Sequence, residues 1–356
     1  ELYYIAQAVL AGELKGDGPF THKCHAWLEA AFQTKKALLT PSCTAALELA
    51  AMLMDLHPED EVLMPSFTFV STANAFMLSG AKPRFVDIRE DTLNIDERLL
   101  PALINDRTRG ICVVHYAGVA CDMDPIMEIA NQHSLAALAT YKGRPLGSIG
   151  HLGALSFHET KNFSCGEGGA ILINQSNLQS RAEILREKGT DRSRFFRGEV
   201  DKYTWQDIGS SFLPSEIIAA FLFAQLEQAE NINAARMRLW IRYRDELTAL
   251  EEQGAFRLPK TPDYSGHNAH MFYFLVETKE IRSKLLRFLV EQGVSAVFHY
   301  VPLHTAPMGC KLGYKPGMLP VTEDLSERLV RLPLFVGLSE TDQYFVINKV
   351  RQFFAS

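Results

Sequence analysis

One segment of the sequence combines a lysine with surroundings that can turn it into a nucleophile. Ser156-Phe157-His158-Glu159-Thr160-Lys161-Asn162 is followed closely by Gly166-Glu167-Gly168-Gly169. The pattern predicts a strand that runs into a turn presenting Lys161, and the glycines let the backbone approach a ligand closely. A lysine held by packed neighbours and partly desolvated loses proton affinity and becomes an amine nucleophile, as a Schiff-base lysine must. On the local pattern alone, a lysine at a strand end that faces water is the commoner arrangement.

Two further segments carry weaker signals of ligand binding. Thr40-Pro41-Ser42-Cys43-Thr44-Ala45-Ala46-Leu47 reads as a hydroxyl-rich turn that opens a helix after a strand. The free N–H groups and positive dipole end of such a helix suit a phosphate, although a simple N-cap by Ser42 or Thr44 needs no ligand. The segment from Pro65 to Asn74 places aromatic residues at a strand–helix junction. These could stack on a planar cofactor, but such aromatics more often belong to the core.

The composition excludes several classes of protein. The 356 residues carry a net charge of −6, so there is no general positive field for nucleic acid. No stretch approaches 18 uninterrupted apolar residues, and the start lacks a signal-peptide pattern, so we expect a cytoplasmic protein without a membrane span. The six cysteines form no CxxC pair, which argues against a disulfide framework and a zinc site. The spacing of His299 and His304 fits no closed metal motif, so we predict no metal.

Alternating strands and helices predict an α/β fold with a largely parallel sheet. We predict a large domain over residues 1–235 and a small C-terminal α+β domain over residues 236–356. The expected elements of the large domain are strands at 37–40, 61–64, 83–87, 110–115, 154–158 and 170–174, and helices from 44 to about 56 and at 69–79, 125–133 and 215–228. Beyond these we expect a helix at 232–250, a strand at 270–276, a helix at 281–292, a strand at 296–301 and two terminal helices.

Taken together, in this order and spacing, the three segments resemble the DegT/DnrJ/EryC1/StrS family of sugar aminotransferases, and the resemblance covers nearly the whole chain. The strings that carry it are Thr40–Ala45, Met64–Phe76, His115–Cys121, Phe157–Asn162, Phe195–Gly198, Asp201–Trp205 and Phe298–His304. The resemblance implies the aspartate-aminotransferase-like fold type I of pyridoxal-phosphate (PLP) transferases. It also implies a homodimer with shared active sites, acting on a nucleotide-linked keto sugar and an amino-acid donor, with L-glutamate as the expected donor.

The same resemblance implies roles for individual residues. Lys161 matches the lysine that holds PLP covalently and acts as the catalytic amine. Phe69 matches the aromatic that stacks on the pyridine ring. The residues expected at the phosphate are Thr44, Ala45, Ser156 and, from the neighbouring subunit, Ser211, which stands where family members usually have Asn. Tyr300 and His304 fall where the small domain approaches the substrate.

The sequence departs from the family at the strand that should carry an acidic partner of the pyridine nitrogen. The family has Glu-Asp-Ala-Ala-Gln at the end of a strand that follows helix 125–133, and its Asp makes PLP an electron sink. Here the residues from His133 to Thr140 contain no Asp and are too few for a strand of normal length plus its turn. Either the sequence skips residues near Leu135–Ala136, or the strand is truly deleted. The cost of losing a central strand favours the first explanation.

Three alternative functions remain open. A sugar dehydratase of the same fold has His in place of the lysine, so Lys161 argues against it. A 3-amino-sugar transaminase differs only in the position of the keto group. A catalytically silent binding or scaffold protein would follow if the Asp-bearing strand were truly lost.

Overall fold

A computed structural model describes residues 1–133, 136–138 and 145–355, with residues 136–138 described as backbone. The helices are α1 (Leu2–Ala11), α2 (Pro19–Phe32), α3 (Cys43–Leu53), α4 (Val70–Leu78), α5 (Leu100–Leu103), α6 (Met123–Gln132), α7 (Ser176–Arg186), α8 (Arg192–Phe196), α9 (Glu216–Leu226), α10 (Ala229–Glu252), α11 (Lys279–Glu291), α12 (Pro307–Lys311), α13 (Pro320–Arg328) and α14 (Glu340–Phe354). The strands are β1 (Lys36–Thr40), β2 (Glu61–Pro65), β3 (Lys82–Val86), β4 (Thr108–Cys112), β5 (Ala136–Leu138), β6 (Leu152–Ser156), β7 (Gly169–Ile173), β8 (Phe256–Arg257), β9 (Phe272–Val276) and β10 (Leu329–Leu332).

The predicted α/β fold with a parallel sheet is confirmed for strands β2 to β5. They pair in the order β3-β2-β4-β5, and every pair is parallel. The strands β1, β7 and β6 form a second sheet in that order, with antiparallel pairs. Among the described residues β5 and β6 touch without sharing a ladder. In the described part of the chain, the break between the two sheets therefore falls between β5 and β6.

The short strand β5 occupies the place where the sequence was expected to lack one. Residues Ala136–Leu138 pair in parallel with Gly110–Cys112 of β4, although β5 is only three residues long. The sequence therefore holds a strand here, but one shorter than normal length, and the expectation that residues are skipped near Leu135–Ala136 stays a prediction. Leu135 and residues 139–144 lie outside the described part of the chain.

Small side chains bring helix α3 close to the strands behind the predicted site. Ala46, Ala50 and Ala51 are fully buried in a core that also holds Val62 and Ile171. Alanine has high helix propensity and adds little bulk, so the helix axis can approach the sheet closely. The N-terminus of α3 is thereby fixed beside the ends of β1 and β7.

The C-terminal part has a separate core around the antiparallel sheet β10-β9-β8, covered by α10, α11 and α14. The predicted domain boundary at residue 235 falls inside the continuous helix α10 and remains a prediction. The strand predicted over 296–301 was wrong, since only Val297 forms a bridge, to Arg331. Strand β10, which carries Arg331, was not predicted because the terminal residues were read as helical.

Buried polar contacts join the C-terminal part to the carboxyl ends of β2 and β3. The Asp87 carboxylate accepts hydrogen bonds from the backbone N–H groups of Val321 and Thr322, at 3.1 and 2.7 Å. It thereby satisfies free N–H groups at the start of α13. Ser66, which follows β2, also joins the two parts. Its hydroxyl oxygen accepts a hydrogen bond from the His304 backbone N–H at 3.0 Å and lies 2.7 Å from His304 Nδ1. Within the described ranges, no helix combines the length and apolar character that a membrane crossing requires.

Candidate active site

Lys161 lies on a turn whose backbone is tied at several points. The turn follows β6 and is closed by hydrogen bonds from Lys161 N–H to the His158 carbonyl (2.9 Å) and from Glu159 N–H to the Gly166 carbonyl (2.9 Å). The side chain of Asn162 donates to the Asn268 carbonyl at 2.7 Å and contacts His270 Nδ1 at 3.1 Å. Residues far apart in sequence therefore hold the lysine in place.

A glycine allows the start of α3 to approach this turn. A Cβ atom added at Gly169 would lie 2.5 Å from the Cys43 nitrogen and the Ser42 oxygen, both of them backbone atoms. Real side chains do not tolerate such a distance, so only glycine fits at the first residue of β7. The N-terminus of α3, capped by Ser42 through its hydrogen bond from Ala45 N–H at 3.1 Å, consequently borders the same space as Lys161.

Two neighbouring cavities share Lys161 as a lining residue. A cavity of about 620 Å³ is bounded by the start of α3, the Lys161 turn and β10. A second, of about 370 Å³, extends toward the break between the sheets and is lined by the ends of β4 and β6 and by Trp27 and Phe32 of α2. Lys161, Ser156, Phe69 and Tyr300 line both. The pair is large enough for a small-molecule site.

Burial makes the lysine a better nucleophile than an exposed one. Burial lowers the pKa of Lys161, the nearby Cys43 thiol opposes this shift, and the charge of Arg331 adds to it. A lower pKa leaves more of the amine neutral near pH 7. Burial also lowers the pKa of His299 to about 3 and that of His270 well below its ordinary value. Both imidazoles are therefore neutral at physiological pH.

Most predicted cofactor residues come together around this space. Thr44 and Ser156 line the 620 Å³ cavity, and the Thr44 hydroxyl donates to Ser71 Oγ at 2.8 Å. Phe69 stands at the start of α4 with 57% of its surface exposed and lines both cavities. Ala45 is placed differently: it lies behind the cavity wall, and its N–H is already bound by Ser42.

The remaining predicted residues separate into three different environments. Tyr300 lines both cavities, stacks on His299 with ring centroids 3.6 Å apart, and has a φ of 34°. A bulky residue at positive φ is rare and is held there by its surroundings, often at functional sites. Ser211 is exposed and lines neither cavity. His304 is fully buried outside both cavities, between Ser66 and Glu323, and so has no surface to offer a substrate.

Several residues at the site were not predicted. Cys43, His270, His299 and Arg331 all line the 620 Å³ cavity. Cys43 falls inside the recognised Thr40–Ala45 string, so its position could have been found. Arg331 gave no signal, because it lies 170 residues after Lys161 in a segment that reads as helical.

The residues present fit PLP on three sides. Lys161 can bind its aldehyde carbon, and the hydroxyls of Ser42, Thr44 and Ser156 near a helix N-terminus suit its phosphate. Phe69 offers a face for its ring. The side of the pyridine nitrogen lacks the acidic partner that the family strand would supply. Glu167 is the one carboxylate among the described residues that line the two cavities, and it lies 3.5 Å from His158 near the surface. No Asp or Glu occurs between Glu128 and Glu159 of the sequence.

Comparisons with known proteins agree on one family. Residues 1–351 match the model of the DegT/DnrJ/EryC1/StrS aminotransferase family. The spore coat polysaccharide biosynthesis protein SpsC of Bacillus subtilis is 31% identical, over 99% of this chain and 93% of that protein. The structure resembles that of S. venezuelae DesV (29% identity, TM-score 0.89, 99% and 93% coverage). It also resembles a DegT DnrJ EryC1 StrS aminotransferase from Brucella abortus (28% identity, TM-score 0.88, 100% and 95% coverage).

Proposed function

The chain belongs to the DegT/DnrJ/EryC1/StrS family of PLP-dependent sugar aminotransferases, and from this premise we propose a specific reaction for it. The proposed substrate is dTDP-4-keto-6-deoxy-D-glucose, the donor is L-glutamate, and the product is dTDP-4-amino-4,6-dideoxy-D-galactose. The observation that carries the proposal is the desolvated amine of Lys161, which faces a cavity bordered by the capped start of α3. The resemblance of the recognised strings to transaminases that act at C4 favours this sugar, and we propose with it a role in enterobacterial common antigen or another surface polysaccharide.

PLP, when bound, withdraws electrons from the carbon that carries the amino group. Lys161 Nζ then serves as the base that takes the proton from the α-carbon of the donor and later returns one to the sugar carbon. Burial supports this role, because a neutral amine is needed to accept the proton. The neutral rings of His299 and Tyr300 line one side of the 620 Å³ cavity.

We further propose that the working unit is a homodimer. The stretch that precedes Ser211 exposes Phe196, Trp205 and Ile208, with Trp205 82% exposed. Large exposed side chains in one segment favour contact with a second copy of the chain. In that arrangement Ser211 of one subunit would reach the phosphate in the other. Analytical ultracentrifugation tests the dimer, and a monomeric sedimentation coefficient at micromolar concentration would contradict it.

Product analysis with a panel of nucleotide sugars tests the reaction. Wild-type protein with PLP and L-glutamate should aminate the 4-keto-6-deoxy sugar, as followed by mass spectrometry and NMR of the product. Lys161→Ala should abolish turnover, whereas Lys349→Ala, a half-buried lysine of α14 that lines neither cavity, should leave it unchanged. Amination of a 3-keto sugar instead would support the related 3-aminotransferase activity and would refute the assignment to C4.

One observation favours a second candidate, a catalytically silent homologue. The pyridine nitrogen of PLP commonly pairs with an acidic residue, which strengthens the cofactor as an electron sink. No acidic residue occurs between Glu128 and Glu159, where the family strand would supply it. An intact mass that matches the sequence, together with failure of L-glutamate to change the absorbance of the PLP-loaded protein, would establish this candidate.

A further inference from the structure

A cavity of about 910 Å³ lies along the edge of the parallel sheet and shares no lining residue with the two cavities at Lys161. One side is formed by β3, the edge strand in the order β3-β2-β4-β5. The other sides are formed by residues 99–103 around α5 and by the segment 311–320 between α12 and α13. The volume falls in the range of about 300–1,000 Å³ that small-molecule sites have. The proposed transamination makes no use of this space.

Aliphatic side chains make up much of the lining of this cavity. Leu99, Met318 and Leu319 belong to it, and Leu99 and Met318 have 40% and 53% of their surfaces exposed. The two rings of the lining, Phe85 and Tyr314, pack against each other with centroids 4.9 Å apart, and Phe85 is buried. A nucleobase is usually held by stacking on a free ring, whereas exposed aliphatic carbon suits an alkyl chain.

The free edge of β3 offers little to a partner strand. Tyr314 Oη accepts a hydrogen bond from the Phe85 N–H at 3.0 Å and donates one to the Pro83 carbonyl at 3.3 Å. Pro83 itself has no N–H to donate. An extended peptide that adds to a sheet needs these backbone groups. Their use by Tyr314 therefore argues against a peptide and favours a small molecule as the occupant of the cavity.

The charges around the cavity favour an anion. The carboxylates of Glu61 and Asp87 line it, but protein groups satisfy both: Glu61 pairs with Arg84 at 2.9 Å, and Asp87 accepts hydrogen bonds from N–H groups at the start of α13. Lys82 is engaged only in an exposed surface pair, and such pairs are weak. Lys311, exposed at the end of α12, has no carboxylate within ion-pair distance in the part of the chain that the structure describes. Two ammonium groups beside the cavity therefore remain available to a ligand.

We propose that this cavity binds a single-chain amphiphilic anion, of the class of a medium-chain fatty acid. The alkyl chain lies against Leu99, Met318 and Leu319, and the carboxylate head group meets the ammonium groups of Lys82 and Lys311. Burial of the chain supplies most of the affinity, and the charges select an anion over a neutral amphiphile. The site is separate from the Lys161 cavities, so it stands or falls independently of the proposed transamination.

A series of fatty acids of increasing length tests the site. Calorimetry measures their binding to the PLP-loaded protein, at concentrations below micelle formation. Affinity should rise about fourfold for each methylene group added between hexanoate and decanoate, because each buries a similar apolar area. Acetate and the uncharged decanol should bind much more weakly than decanoate. An affinity that does not depend on chain length, or equal affinity for decanol and decanoate, would overturn the inference.

Two substitutions at the cavity locate the ligand. Lys311→Glu should raise the Kd of decanoate about 3- to 10-fold by charge reversal, and Leu99→Asp should raise it about 10-fold or more by opposing the alkyl chain. The matched controls are Lys284→Glu and Leu78→Asp, exposed residues that do not line the cavity, and both should bind decanoate as the wild type does. Wild-type affinity in Lys311→Glu and in Leu99→Asp would show that decanoate binds elsewhere.

Competitors separate this ligand from other anions. Neither L-glutamate nor dTDP should displace decanoate, and that result supports a separate site for an amphiphile. Displacement by L-glutamate would place the carboxylate in the Lys161 cavity, and displacement by dTDP would assign the cavity to a nucleotide; either result overturns the inference. Sedimentation with phosphatidylglycerol vesicles, without binding of monomeric decanoate, would assign the cationic edge to a membrane surface and would overturn it too.

Discussion

Replacing His304 with alanine should destabilise the protein rather than weaken substrate binding alone. The ring of His304 is fully buried. Its Nδ1 atom lies 2.7 Å from Ser66 Oγ, and its Nε2 atom lies 2.9 Å from Glu323 Oε1. The ring thus connects the carboxyl end of β2 to α13 of the C-terminal part.

The expected loss follows from the two contacts. A neutral hydrogen bond contributes about 0.5–1.5 kcal/mol and one to a charged group about 1.5–3 kcal/mol. His304→Ala removes one of each, so the free energy of unfolding should fall by about 2–4.5 kcal/mol. The cavity left by the ring adds to this loss. Because Ser66 precedes Phe67, which packs against Tyr300 at the site, affinity for PLP should fall as well.

Urea denaturation followed by circular dichroism measures the change. His57→Ala is the control, because its side chain is largely exposed and such substitutions change stability by less than about 0.5 kcal/mol. A His304→Ala protein with wild-type stability and a raised KM for the nucleotide sugar would refute the reasoning. It would restore the sequence-based expectation that His304 contacts substrate.

Two further predictions concern the walls and the base of the site. Gly169→Ala should reduce PLP affinity about 5- to 150-fold, the equivalent of an overpacking cost of about 1–3 kcal/mol, because its Cβ would press on the backbone at Ser42 and Cys43. Fluorescence titration with PLP measures the affinity. Gly266→Ala is the control, because a Cβ atom at Gly266 would have no neighbour within 4 Å. Equal PLP affinity of Gly169→Ala and the wild type would contradict the close approach of α3 to β7. Covalent attachment of PLP to Lys161 should have a pH midpoint below the ordinary lysine value of 10.5, since burial lowers its pKa and the neutral amine attacks. The absorbance of the PLP-loaded protein, measured as a function of pH, gives this midpoint. A midpoint at or above 10.5 would show that the Lys161 amine is solvated.

The sequence predicted those features that depend on local pattern. Apolar runs located β2, β6 and β7, and the hydroxyls at Ser42 and Thr44 predicted the start of α3. The turn at Lys161 was predicted for the same reason, because a strand and a glycine-rich segment enclose it.

Features that depend on contacts distant in sequence were not predicted. His304 lies within a string typical of the family, but its burial depends on Ser66 and Glu323, which local pattern does not bring together. Arg331 reaches the site because β10 pairs with β9, and short strands at a helix end have weak sequence signals. Strand β5 was missed because its three residues fall below the usual strand length, yet β4 supplies a ready edge for them.

The most direct test of the central claim is the absorbance of the purified protein with PLP, before and after L-glutamate. The protein's intact mass should first be matched to the sequence. For the wild type we predict an absorbance band near the visible edge, from PLP attached covalently to Lys161, that moves to shorter wavelength when L-glutamate is added. Lys161→Ala cannot attach PLP in this way and should lack that band. A wild-type protein of the correct mass that forms no band would contradict the role of Lys161 and would leave the silent homologue as the better account.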